Sequence, residues 1–85
     1  MPKITIYTTA TCPYCHAAKA LLRRKGAQFE EIDVNSAPGL RARMREMAGG
    51  RNTVPQIWIG ETHVGGCDDL HDLDGLGKLD ELLAG

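Results

Sequence analysis

Cys12-Pro13-Tyr14-Cys15 places two thiols one helical turn apart. An apolar, β-branched stretch, Ile4-Thr5-Ile6-Tyr7, precedes them, and an alanine- and leucine-rich stretch ending at Gly26 follows. The order is strand, short loop, thiol pair, helix. Cys12 stands where a helix N-cap belongs, and Pro13 takes the first helical position, where a missing N–H costs nothing. The first turn of a helix has unpaired N–H groups and a partial positive charge. A sulfur held there is favoured as the thiolate, its nucleophilic form. Cys15 is close enough to form a disulfide with it. The spacing therefore predicts an exposed nucleophile, Cys12, with a built-in resolving thiol, Cys15.

Other uses of this spacing fit less well. A structural zinc site wants four ligands, often as two such pairs. The remaining candidates are Cys67 and three histidines, His16, His63 and His71, with no paired spacing. No metal site is expected. A purely structural disulfide is also disfavoured, because so short a loop removes little entropy from the unfolded chain. Thiol–disulfide chemistry is the reading that remains.

The rest of the chain must position those thiols. With 85 residues it reads as a single domain, residues 1–85, with room for one modest core. A net charge of −1 lacks the basic excess of a nucleic-acid binder. No apolar run reaches the roughly 18 residues of a membrane span. No signal pattern precedes the first strand, and three cysteines are too few for a secreted disulfide scaffold. Cytoplasmic residence is the expectation.

Residues 3–8 read as a strand with both faces covered, since Tyr7 is large enough to bury as well. Residues 13–25 read as a helix with Tyr14, Ala17, Ala18, Leu21 and Leu22 as its apolar stripe. Lys19, Arg23, Arg24 and Lys25 then face solvent or the helix C-terminus, and Gly26 ends the helix. Residues 28–34 form a second strand, parallel to the first because a helix connects them. A second helix over residues 38–48, capped by Ser36 or Asn35, buries Leu40, Met44 and Met47 and leaves Arg41, Arg43 and Arg45 solvated. Residues 56–59 and 62–65 are strands joined by a tight turn at Gly60-Glu61, hence antiparallel. Leucines at positions 70, 73, 79, 82 and 83 mark a helical end, broken at Gly75 and Gly77. The fold class is α/β: a four-stranded mixed sheet flanked by three or four helices. Two thiols after the first strand of a βαβ unit make the pattern thioredoxin-like.

Two further motifs follow in order: Thr53-Val54-Pro55 and Gly65-Gly66-Cys67-Asp68-Asp69. Pro55 cannot donate to a sheet ladder at the start of its strand. Gly65-Gly66 lets the backbone approach a ligand closely, and Cys67-Asp68-Asp69 opens a helix with acids in its first turn. Taken with the thiol pair, the three motifs resemble those of the small bacterial dithiol glutaredoxins, over nearly the whole chain.

The resemblance implies a glutathione-dependent oxidoreductase that reduces protein disulfides and protein–glutathione mixed disulfides, ribonucleotide reductase among the partners, working as a monomer. It implies a cis bond before Pro55, which turns the Val54 backbone toward glutathione as toward a short antiparallel strand. Thr53 would touch the same ligand, with Tyr14 flanking it. N–H groups of Cys67 and Asp68 would hold the γ-glutamyl carboxylate, with Gly66 beside them and Asp68 or Asp69 pairing with the ammonium. Where the family commonly carries a lysine before the first cysteine, this chain has Thr9. Arg51 is the candidate to replace that lysine at the glycyl carboxylate. Cys67 and Trp58 read as packing residues, and His16 as solvated. A redoxin regenerated by thioredoxin reductase would lack the glutathione groove. A dimeric iron–sulfur carrier is the other alternative; cluster-binding members often lack the motif proline, so Pro13 argues against it.

Overall fold

The structure, a computed structural model, describes residues 2–85. β1 (Ile4–Thr8) is paired on both sides: in parallel with β2 (Glu30–Asp33) and antiparallel with β3 (Gln56–Ile59). β4 (Thr62–Gly65) hangs antiparallel on β3, so the sheet runs β2-β1-β3-β4. α1 (Pro13–Arg24) makes the crossover from β1 to β2, and α2 (Leu40–Met47) returns the chain to β3. α3 (Cys67–Gly75) and α4 (Lys78–Ala84) close the fold. The mixed four-stranded sheet, the parallel first pair and the antiparallel hairpin match the reading of the sequence, with four helices.

Strand periodicity divides the core in two. Ile4, Ile6, Ile57 and Ile59 point to one face, where Ala18, Leu21 and Leu22 of α1 pack with Cys67 and Leu70 of α3 and with Leu79 and Leu83 of α4. Each fully buried aliphatic side chain there contributes about 1.5–3 kcal/mol. Tyr7 and Trp58 point to the other face and pack with Val34, Met44 and Ala48. Their rings meet edge to face at 5.4 Å, a favoured aromatic geometry. Lys25 fastens the end of α1 to the two last helices, reaching Asp74 at 2.6 Å and Asp80 at 3.0 Å.

Two helices differ from the sequence reading. On α1 the buried stripe is Cys15, Ala18, Lys19, Leu21 and Leu22. Tyr14 is 65% exposed and Ala17 is exposed as well. The helix is rolled so that Cys15, rather than Tyr14, lies against the sheet. Lys19, expected in solvent, is carried inward and is only 9% exposed. α2 starts later than expected, after Gly39 at φ 84°, and no side chain caps it. Asn35 and Ser36 are used one step earlier. The Asn35 N–H donates to Asp33 Oδ1 (2.8 Å) and Ser36 Oγ to the Asp33 carbonyl (2.7 Å). Asp33 thus forms its own turn at the end of β2 and leaves the helix start to glycine. Of Leu40, Met44 and Met47, only Met44 is fully buried, and Met47 lies exposed at the rim. Arg43 and Arg45 are solvated as expected, whereas Arg41 donates to the Asn52 side chain and carbonyl.

Candidate active site

β1 ends at Thr8, and a loop of Thr9, Ala10 and Thr11 delivers Cys12 to the N-cap of α1. Its backbone is extended (φ −94°, ψ 109°), and Pro13 takes the first turn. The Cys15 N–H donates to Cys12 Sγ at 3.1 Å. This is the unpaired first-turn N–H that the sequence pattern promised to a sulfur. On its other side Cys12 Sγ lies 3.6 Å from the Val54 carbonyl. The expected exposed nucleophile is therefore largely covered. Cys12 is 8% exposed, because the segment before Pro55 folds over it. A substrate sulfur must approach along that segment.

Cys15 is sealed at 1% exposure. Burial, then a hydrogen bond to the Cys12 side chain, pushes its thiol up to about 12; a backbone hydrogen bond from Thr9 and the charge of Lys19 oppose the rise. Cys15 thus keeps its proton at neutral pH. The two thiols are inequivalent: Cys12 keeps a narrow opening and takes the N–H of the first helical turn, whereas Cys15 is sealed beneath it. All three cysteines are in the free form.

The Val54–Pro55 bond is cis, as the resemblance implied. Next to it is a group that the sequence reading missed. Gln56 is completely buried. Its Nε2 donates to Thr53 Oγ1 (3.2 Å), and its Oε1 meets His63 Nε2 (2.8 Å). His63 in turn stacks on Trp58 at 4.7 Å. The available signal was a lone amide opening an otherwise apolar strand, since a buried amide needs partners.

β4 delivers the third motif. The Gly66 N–H donates to Asp69 Oδ2 (2.8 Å), the carboxylate half of a capping box. Arg51 Nη1 joins the same oxygen at 3.1 Å. The Gly66 N–H, then Arg51, hold the Asp69 carboxyl below the usual range. Cys67 and Asp68 follow in the first turn, where no carbonyl of the same helix reaches their N–H groups. Asp68 is exposed. Cys67 packs into the main core, as expected, with its sulfur 3.4 Å from His71 Nδ1. Burial, with the charges of Asp68 and Cys12, pushes its thiol up. His16 is exposed.

A cleft of about 240 Å³ runs between these segments. It is lined by Tyr14, Arg51, Thr53, Val54, Pro55, Gly66, Cys67, Asp68 and Asp69. The nine residues singled out from the sequence thus share one surface. Arg51 reaches it from the α3 side, because Asp69 holds its guanidinium there. A larger hollow of about 610 Å³ opens by Pro2, Gly26 and Phe29 and offers no thiol. Among the described residues no cluster of three or more His, Cys, Asp or Glu is placed to hold a metal ion.

Comparison with known proteins points the same way. The family model described as Glutaredoxin matches residues 4–64. A glutaredoxin of Pseudomonas aeruginosa is 63% identical over 99% of this chain and 99% of its own. Glutaredoxin 3 of Escherichia coli is 52% identical over 98% of this chain and 99% of its own. The solved buckwheat glutaredoxin–glutathione complex superposes with a TM-score of 0.90 at 28% identity, over 98% of this chain and 77% of that one. With likeness of this degree along almost its full length, the chain belongs to the glutaredoxin family.

Proposed function

We propose that glutathione occupies the 240 Å³ cleft with its sulfur toward Cys12. The activity is that of a glutathione-dependent thiol–disulfide oxidoreductase. Its substrates are protein disulfides and protein–glutathione mixed disulfides, and the resemblance names ribonucleotide reductase among the proteins served. A reducing compartment, the cytoplasm, suits a dithiol that must be kept reduced.

In the proposed pose the glutathione backbone runs beside Val54, against the walls of Thr53, Pro55 and Tyr14. Its γ-glutamyl carboxylate meets the first-turn N–H groups of Cys67 and Asp68. Asp68 takes the ammonium, because Asp69 is already engaged by Gly66 and Arg51. Arg51 then adds positive charge at the γ-glutamyl end rather than at the glycyl end.

The cycle uses the inequivalence of the thiols. The Cys12 thiolate attacks one sulfur of a protein disulfide; the Cys12–S–S–protein bond forms and the second protein sulfur leaves as a thiolate that takes up a proton. Cys15 gives up its proton and attacks Cys12 Sγ. The Cys12–Cys15 disulfide forms, and the protein leaves with both sulfurs reduced. One glutathione opens that disulfide, giving Cys12–S–S–glutathione and the Cys15 thiol. A second attacks the bound glutathione sulfur, releasing glutathione disulfide and the Cys12 thiolate. Two glutathiones supply the two electrons. A glutathionylated protein needs Cys12 alone.

One observation carries this assignment of roles: the Cys15 N–H on Cys12 Sγ beside a Cys15 thiol that is itself buried. The test is the Cys15→Ser variant carrying glutathione on Cys12. Its amide NMR shifts should change at Thr53, Val54, Gly66, Cys67 and Asp68. Changes confined to the hollow near Phe29, or reduction of the oxidised protein by thioredoxin reductase but not by glutathione, would overturn it.

A further inference from the structure

Lys19 is a cation in an unexpected place. It lies four residues beyond Cys15, on the same face of α1, where i and i+4 side chains are neighbours. Both residues are buried. Its Nζ reaches Glu31 Oε2 at 3.0 Å, and Thr8 Oγ1 donates to that same oxygen at 2.8 Å. Thr8 is almost wholly buried and is followed by Thr9, whose backbone bonds the Cys15 sulfur. Thr8, Thr9, Cys15, Lys19 and Glu31 therefore make one cluster behind the thiol pair.

Stability alone gives little reason for this pair. Lys19 is buried but the Glu31 carboxylate is 37% exposed; a pair so open to water is a weak source of stability, and an apolar side chain would fill the space Lys19 takes. Chemistry supplies a reason. Cys15 must ionise to resolve a mixed disulfide, and water does not reach it. A buried thiol without water needs a neighbouring positive charge to ionise. We propose that Lys19, anchored by Glu31 and Thr8, is the positioning residue of the resolving step: its charge makes the Cys15 thiolate accessible once Cys12 is occupied.

The order of events follows from the charges around Cys15. On its own helix these are Cys12 and Lys19. From β2 comes Glu31, which weakens the field of Lys19 and is itself influenced by Arg23. From α3 comes Cys67, whose own thiol is pushed up by burial and by the charges of Asp68 and Cys12. A Cys12 thiolate opposes ionisation of Cys15. When Cys12 enters a disulfide that opposition disappears, and Lys19 remains. Cys15 then gives up its proton, which in the balance of the step ends on the departing sulfur, and attacks Cys12 Sγ. The Cys12–Cys15 bond forms, and the departing thiolate takes up a proton.

The experiment loads Cys12 with glutathione at low pH, jumps the pH, and follows glutathione release as Cys15 closes the disulfide. With Lys19→Gln the rate profile should move to higher pH, and release should slow about threefold at neutral pH. A one-unit rise costs about tenfold in thiolate, and greater nucleophilicity returns about threefold. Glu31→Gln keeps the hydrogen bonds but removes the negative charge, so its profile should move to lower pH and its release should be faster. A merely structural role would move both variants the same way. An unshifted Lys19→Gln profile, or a Glu31→Gln variant at or below the parent rate, overturns the proposal. The inference rests on Cys15 as the resolving thiol. Failure of that reading is recognisable separately, because the parent itself would then release no glutathione.

Discussion

The Cys15 N–H points at Cys12 Sγ across 3.1 Å, so Cys15 supports the nucleophile with its main chain while its own thiol stays buried. The two contributions are separable by mutation. Cys15→Ser keeps the N–H and loses only the sulfur. It should retain reduction of glutathione mixed disulfides within about threefold and lose reduction of protein disulfides. Cys12→Ser should lose both. Parallel assays on the two substrate types check this, and equal losses from the two substitutions would contradict the division of labour.

Gly65 is the most crowded of the chain's glycines. Its φ is +110°, and a Cβ there would stand 2.7 Å from Arg51 Nη1 and collide with the Asp69 carboxylate. Alanine would meet both backbone strain and overpacking, each on the order of 1–2 kcal/mol. Gly65→Ala should lose about 2–3 kcal/mol in denaturant unfolding. It should also raise the KM for glutathione, because the ion pair it displaces borders the cleft.

The sheet was legible because its strands are punctuated: Gly60-Glu61 separates Gln56–Ile59 from Thr62–Gly65, and both ranges match the structure residue for residue. The cleft was legible because all its lining residues but Arg51 come from three short motifs, each with a local backbone reason for its composition. What escaped depends on how elements are rotated and covered. Periodicity pointed to a stripe on α1 beginning at Tyr14, whereas packing on the sheet selects one beginning at Cys15. That choice buries Lys19, which composition alone assigns to solvent. The cover over Cys12 escaped for a similar reason, since the Val54 carbonyl arrives from 42 residues away. Gln56 was passed over because one partner, His63, becomes a neighbour only when β3 and β4 pair, and the other, Thr53, only through the local bend around Pro55.

Asp69 should make the start of α3 sensitive to acid. Its folded pKa is depressed, first by the Gly66 N–H and then by Arg51. A depressed carboxylate stabilises the fold at pH values above its ordinary 3.8, and that contribution is lost as pH falls through the lower folded value. Asp69→Asn should therefore be less stable than the parent at neutral pH, by about 1 kcal/mol for a charged hydrogen bond that is partly exposed. The gap should close as pH falls below the carboxylate range, where the parent is neutral too. Urea midpoints measured against pH check both limbs, and a gap of constant size would contradict the charge argument.

Thr9 decides how much of the nucleophile's support comes from charge. It is half-buried and lies three residues before Cys12. Its backbone serves the Cys15 sulfur, so its side chain can change without disturbing that bond. The helix N-terminus and the Cys15 N–H already face Cys12 Sγ, and this loop supplies no cation. Thr9→Lys would add a positive charge near both the sulfur and the entering tripeptide. In the proposed pose Arg51 is engaged at the γ-glutamyl end, so the glycyl carboxylate has no cation and stands to gain most. The variant should therefore lower the KM for glutathione about threefold or more, and high salt should erase much of the gain. Alkylation of Cys12 at mildly acidic pH should rise by a smaller factor, because a backbone donor and the helix terminus already face the sulfur. A large rise in alkylation with an unchanged KM would reverse this assignment and make the loop cation, rather than the helix terminus, the limiting support for the sulfur.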